Sequence, residues 1–172
     1  MIVKQKILGL ILSLWLLTSC SSMINKQNLE LPLDKKYAIA SFWNYTETPM
    51  AGLRAASIVE SVLAKNSVAL SSLVSGSEEM ESIKSKRAFL KSKKEEARLL
   101  GAEYLIMGNV QEWRYKTGID GEPVVSFSIS VIDLKMDKVV FNAVGAKSAW
   151  GHKSIGVVAQ EIAQELIPKF VN

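Results

Sequence analysis

The sequence predicts an α+β domain, a two-layer mixed or antiparallel sheet with helices packed on one face. Three observations predict it. Element signals follow the order β-α-β-α-β-β-β-α, with three strands grouped in the C-terminal half. In the clearest strand, Val125, Phe127, Ile129 and Val131 alternate with Ser126, Ser128 and Ser130, the period of a strand with one buried and one polar face. In the closing helix, Ile155, Val158, Ala159, Ile162, Ala163, Leu166 and Phe170 form one apolar stripe at helical spacing.

The chain begins with a different kind of segment. Lys4 and Lys6 precede an apolar run, Ile7 to Leu17, which is too short to span a bilayer core as a helix of about 20 residues. It reads as a signal peptide of residues 1–19. Leu17-Thr18-Ser19-Cys20 resembles the bacterial lipobox, and Cys20 is the chain's only cysteine, so Cys20 is the expected site of acylation. Ser21 and Ser22, rather than Asp, follow it, as in an outer-membrane address in enteric-type sorting. Residues 20–36 carry little periodicity and include Pro32; they are expected to be a flexible tether. Residues 37–172 then form a single domain, long enough for a core without disulfide or metal.

Within the domain, Tyr37 to Trp43 reads as the first strand. Thr48 as N-cap and Pro49 at the first helical position open an amphipathic helix with Ala55, Ile58, Val59, Val62 and Leu63 on one face. A short strand over 67–73 and a polar loop over 75–82 follow. Residues 84–100 make a more exposed helix stopped by Gly101. Three strands, 103–116, 123–134 and 139–150, are joined by turns at 117–123 and 135–138. Val110, Glu112, Arg114 and Lys116 are expected on one strand face and Gln111, Trp113 and Tyr115 on the other. Ser154 caps the last helix.

Charge narrows the function. The formal net charge of +4 loses two units with Lys4 and Lys6, and residues 78–98 hold the remaining excess as a Lys/Arg and Glu mixture with one aromatic, Phe89. That is a solvated helix face rather than a basic surface with stacking platforms, so a nucleic-acid partner is not expected. Metal or triad chemistry lacks its residues: the chain has one histidine, His152, in a Gly-His-Lys loop. Asp120 and Glu122 in the turn, with Glu112 on the strand before it, could converge as paired carboxylates. Turn acids usually serve turn geometry. No Gly-rich phosphate loop is present, and no catalytic residue, metal or cofactor is expected. Trp150 is unusual as a tryptophan at a strand end, and beside a lipid anchor an interfacial position suits it.

Ala97-Arg-Leu-Leu-Gly-Ala-Glu-Tyr-Leu-Ile-Met-Gly-Asn-Val110 resembles the helix–Gly-Ala–strand–Gly segment of periplasmic lipoproteins with the TolB N-terminal-like fold, which include CsgG-type and LpoB-type proteins. Glu112-Trp-Arg-Tyr-Lys-Thr-Gly-Ile-Asp-Gly-Glu-Pro-Val124 and Ser148-Ala-Trp-Gly-His-Lys-Ser154 are similar, more specifically, to the PelC family of Pel exopolysaccharide-secretion lipoproteins. The resemblance implies a non-enzymatic homo-oligomeric ring, dodecamer-like, on the periplasmic face of the outer membrane. Such a ring would work with a PelB-like porin to export a cationic polysaccharide in biofilm formation. It further implies that Trp150 faces the membrane and that Asp120, Glu122 and Glu112 contact the polymer. The mature chain departs from the family in not being acidic overall. An LpoB-like activator of a cell-wall synthase is the alternative reading, expected to need a longer tether. A CsgG-like pore would need extra membrane-spanning strands, which the sequence does not show.

Overall fold

The computed structural model describes residues 22–74, 86–118, 121–150 and 152–171. Among them run β1 (Ser22–Lys26), β2 (Glu30–Pro32), β3 (Lys36–Ala40), β4 (Trp43–Asn44), α1 (Ala51–Lys65), β5 (Ala69–Leu73), α2 (Lys86–Leu99), β6 (Tyr104–Tyr115), β7 (Pro123–Asp133), β8 (Lys138–Ser148), α3 (Ile155–Leu166) and β9 (Lys169–Val171). The mixed sheet has the order β1-β8-β7-β6-β3-β5, with β4 continuing alongside β6. Strands β6, β7, β8 and β1 are antiparallel, while β3 runs parallel to β5 and β6. The α+β class and the mixed sheet are as the sequence predicts.

The layers differ in one respect. Tyr37 and Ile39 of β3 enter the main core, with Val59 and Leu63 of α1 and Val158, Ile162 and Leu166 of α3. Their neighbours Ala38 and Ala40 point the other way and pack with Leu105, Met107 and Ala97 of α2. So α1 and α3 cover one face and α2 covers part of the opposite face, where a single helix face was expected. A strand buried on both sides has no alternation to read, which is why Tyr37-Ala-Ile-Ala40 could not reveal this.

The expected tether is also different. Residues 22–26 form β1, paired with β8 from Ser22↔Lys147 to Lys26↔Ala143, and residues 30–32 form β2, paired with β9. Ile24 packs on the main core beside Gly145, where a Cβ would come within 2.9 Å of the Ile24 Cδ1. Lys26 Nζ donates to the carbonyls of Ile167 and Glu165 at the end of α3. These groups carry unsatisfied acceptors that a cation suits. Leu31 is buried. One core residue per short strand leaves too weak a period for the sequence to show a strand.

Two local departures have clear causes. Helix α1 begins at Ala51 with Met50 as N-cap in the left-handed region and no side-chain cap, rather than at Thr48. The Thr48 hydroxyl is committed elsewhere, donating to Trp113 O at 2.5 Å. In β6 the register with β7 shifts between Val110 and Glu112. This bulge at Gln111 puts both Val110 and Trp113 in the core, instead of on opposite faces, while Glu112 and Arg114 stay on the other side. Phe170, expected on the closing helix, lies in β9 instead, because α3 stops at Leu166. Two cap signals stand as read. Gly101, at φ 73°, ends α2 with Ala102 N donating to Ala97 O and Gly101 N to Arg98 O. Ser154 Oγ accepts from Val157 N at 3.3 Å.

Candidate functional site

Antiparallel pairing gathers the singled-out residues at one end of the sheet. The β6–β7 hairpin, the end of β8, the start of β1 and the N-terminus of α3 all lie there. Val124 stands opposite Ser148, and Ser22 opposite Lys147, two residues before Ala149 and three before Trp150. Ala149 N donates to Pro123 O at 3.1 Å, tying the segment before α3 to the hairpin. Tyr115 OH accepts from Ile155 N at 3.2 Å, so a half-exposed tyrosine meets the first turn of α3. Trp150 is 53% exposed. A half-exposed indole with no core role fits a surface that meets something else.

The charges at this end are paired. Lys116 Nζ lies 2.7 Å from Glu122 Oε2, and Lys116 N donates to Glu122 O at 2.7 Å. Arg114 Nη2 lies 3.2 Å from Glu112 Oε1. Behind them, Glu161 on α3 takes Lys147 on Oε2 at 2.6 Å and Lys153 on Oε1 at 2.7 Å. Hydrogen bonds from Lys147 and Lys153 hold the Glu161 carboxyl below its ordinary range, against a smaller opposing effect of burial.

The structure thus places Glu112 and Glu122 at the same end as Trp150. Each acid has its own cation rather than facing the other. Asp120 and Cys20 lie outside the described residues. His152 is exposed just before α3. Among the described residues no group of three or more His, Cys, Asp or Glu could hold a metal. None of the described helices is long and apolar enough to cross a membrane. A groove of about 570 Å³ lies at the other end of the molecule, between the C-terminal ends of α1 and α3, lined by Val62, Lys65, Gln164, Ile167 and Phe170. It holds none of the predicted site residues.

Sequence reasoning did not find the nearness of β1 to Trp150, nor the Lys147–Glu161–Lys153 cluster. Both depend on pairings more than 100 residues apart or on a helix crossing a strand, which no local pattern encodes. Tyr115 was visible as a strand residue, but not as a partner of the α3 N-terminus.

Comparisons with known proteins cover most of the chain. The PelC dodecamer from Paraburkholderia phytofirmans is 31% identical, with a TM-score of 0.71, covering 85% of this chain and 94% of that one. A variant of that dodecamer in a second crystal form has a TM-score of 0.69 at 31% identity, over 85% of this chain and 95% of that one. The lipoprotein GNA1162 from Neisseria meningitidis shares the fold at 10% identity, with a TM-score of 0.58 over 76% of this chain and 96% of that one. No family model and no curated protein matches the chain.

Proposed function

Because this chain belongs to the PelC family, we propose that it is a non-enzymatic lipoprotein of the outer membrane's periplasmic face. In this reading it assembles into a ring of identical copies and assists export of a Pel-like exopolysaccharide through a PelB-like porin. The similarity to a PelC dodecamer over 94% of that chain carries the reading. Support from this molecule comes from the sheet end that carries Trp150. Only Ser21 stands between Cys20 and Ser22, the first residue of β1. Acyl chains on Cys20 would therefore enter the bilayer beside the exposed Trp150, whose indole suits the headgroup level.

The acidic contacts belong to the same proposal. Glu122 and Glu112 are held by partly exposed ion pairs to Lys116 and Arg114. Such pairs contribute only about 0–1 kcal/mol, so the amines of a cationic polymer can exchange for them at small cost. Asp120, two residues before Glu122 in the sequence, belongs to the same proposal. An LpoB-like activator is the weaker reading, because residues 22–26 and 30–32 pair as strands and do not form a reach of free chain.

The deciding measurement is the mass of the full-length lipidated protein in detergent, by light scattering or mass photometry. A ring-sized particle is expected. A strictly monomeric species, in detergent and as the acyl-free domain, would overturn the ring.

A further inference from the structure

The end of the molecule away from Trp150 carries a surface of a different kind. There the C-terminal turn of α2 meets the β7–β8 turn. Arg98 Nη2 donates to Leu134 O at 2.9 Å, and Lys94 and Arg98 both reach Asp137 Oδ1, at 2.7 and 3.5 Å. Around this junction four large apolar side chains stand in solvent: Leu99, 87% exposed, with Leu100, Met136 and Val139 each at least half exposed. Val139 stands across from Ile132, on the sheet face that α2 covers. None of the four holds the fold. Helix α2 is seated by Ala97, Phe89 and Leu90 instead. Exposed apolar side chains gathered at one place inside a charged rim are the mark of a protein contact.

The rim has a sign. Lys35, Lys91, Lys94, Arg98, Lys135 and Lys138 surround the junction, against Glu95, Glu103, Asp133 and Asp137, which leaves a small excess of positive charge. Like-charged copies of this surface would repel each other. In a closed ring all copies stand at one height, so a surface at one end of a subunit cannot meet the opposite end of its neighbour. A cationic polymer would be repelled as well. We infer that this junction docks a second envelope protein, through a segment whose apolar residues are flanked by Asp and Glu. The inference rests on the ring reading for its direction: with Cys20 and Trp150 at the membrane, the junction points into the periplasm.

The test is photocrosslinking in cells with the full-length chain. p-Benzoylphenylalanine is placed at Leu99 or Met136, with the exposed Ser57 of α1 as control. The expected result is an adduct to another protein from positions 99 and 136 and not from 57, mapped to an acidic, apolar segment. A synthetic peptide of that segment should bind the purified protein, and Lys135→Glu with Lys138→Glu should weaken binding at least tenfold. A Leu99→Ser, Leu100→Ser variant should lose the peptide while melting unchanged. Adducts only between copies, adducts to a segment without acids, or no adduct would each overturn the inference. The two readings fail separately. A monomer that keeps the acidic adduct would sink the ring and leave this surface, and a ring with adducts only between copies would do the reverse.

Discussion

Trp113 shows how much one side chain in β6 carries. Its indole is buried in the main core, yet among the described residues Nε1 finds no hydrogen-bond partner. Truncation to Ala should cost about 3–5 kcal/mol, because it removes a large apolar volume that cannot refill. Trp113→Phe should stay within about 1.5 kcal/mol of the parent, since it also removes the orphaned donor. Urea unfolding of both variants checks the pair of values. Glu161 makes the second residue-scale prediction. Its carboxyl is held below the ordinary 4.5 by Lys147 and Lys153. A depressed carboxylate stabilises the fold fully above its unfolded value, and that contribution disappears as pH falls through the lower folded value. The melting-temperature gap between the parent and Glu161→Gln should therefore be full at pH 7 and narrow below about pH 4. At this scale caps were the most readable features: Gly101 and Ser154 act as their types dictate. Thr48 was not readable, because its hydroxyl binds a carbonyl 65 residues away.

At the scale of elements, β6 is organised by two residues that the hydrophobic pattern ignores. Gln111 supplies the bulge that turns Trp113 inward. Gly108 lets β6, β7 and Phe42 approach: a Cβ there would lie 2.2 Å from Ser128 O and 2.5 Å from the Phe42 ring. Gly108→Ala should destabilise the domain by about 1–3 kcal/mol, visible as a lower urea midpoint with an unchanged slope. Strand β7 was legible from its Val, Phe and Ile alternating with serines, and α3 from its single apolar stripe, although Leu105, Met107 and Ile132 on the second face are covered by α2. Strands β1, β2 and β9 were not legible, since each is five residues or fewer and is defined by its partner. The α2 layer was hidden for a related reason: Ala38 and Ala40 are small, and their burial under Ala97 follows from packing rather than from period.

For the whole molecule, the sequence located the candidate residues, and the topology decided which end of the body they share. Glu112, Glu122 and Trp150 were named from their own neighbourhoods; that β1 starts beside them was not. In the proposed reading, domain orientation on the membrane depends on how little chain separates Cys20 from Ser22. Insertion of a twenty-residue Gly/Ser segment between Ser21 and Ser22 should leave lipidation and membrane association intact, because both depend on the leader and the acyl chains. Polymer secretion should fall, since such a linker spans about 25 Å on average and frees the domain to turn. Secretion assayed beside membrane fractionation distinguishes the two; undiminished secretion would show that fixed orientation is dispensable. The β1–β8 pairing has a mechanical consequence too. Five residue pairs, Ser22↔Lys147 to Lys26↔Ala143, bond across the strand direction. A pull on the chain ahead of Ser22, directed along the strand, loads all five pairs in shear. A pull across the sheet would peel them one at a time. Force along the strand is thus resisted by the whole seam at once, and force across the sheet by one pair at a time.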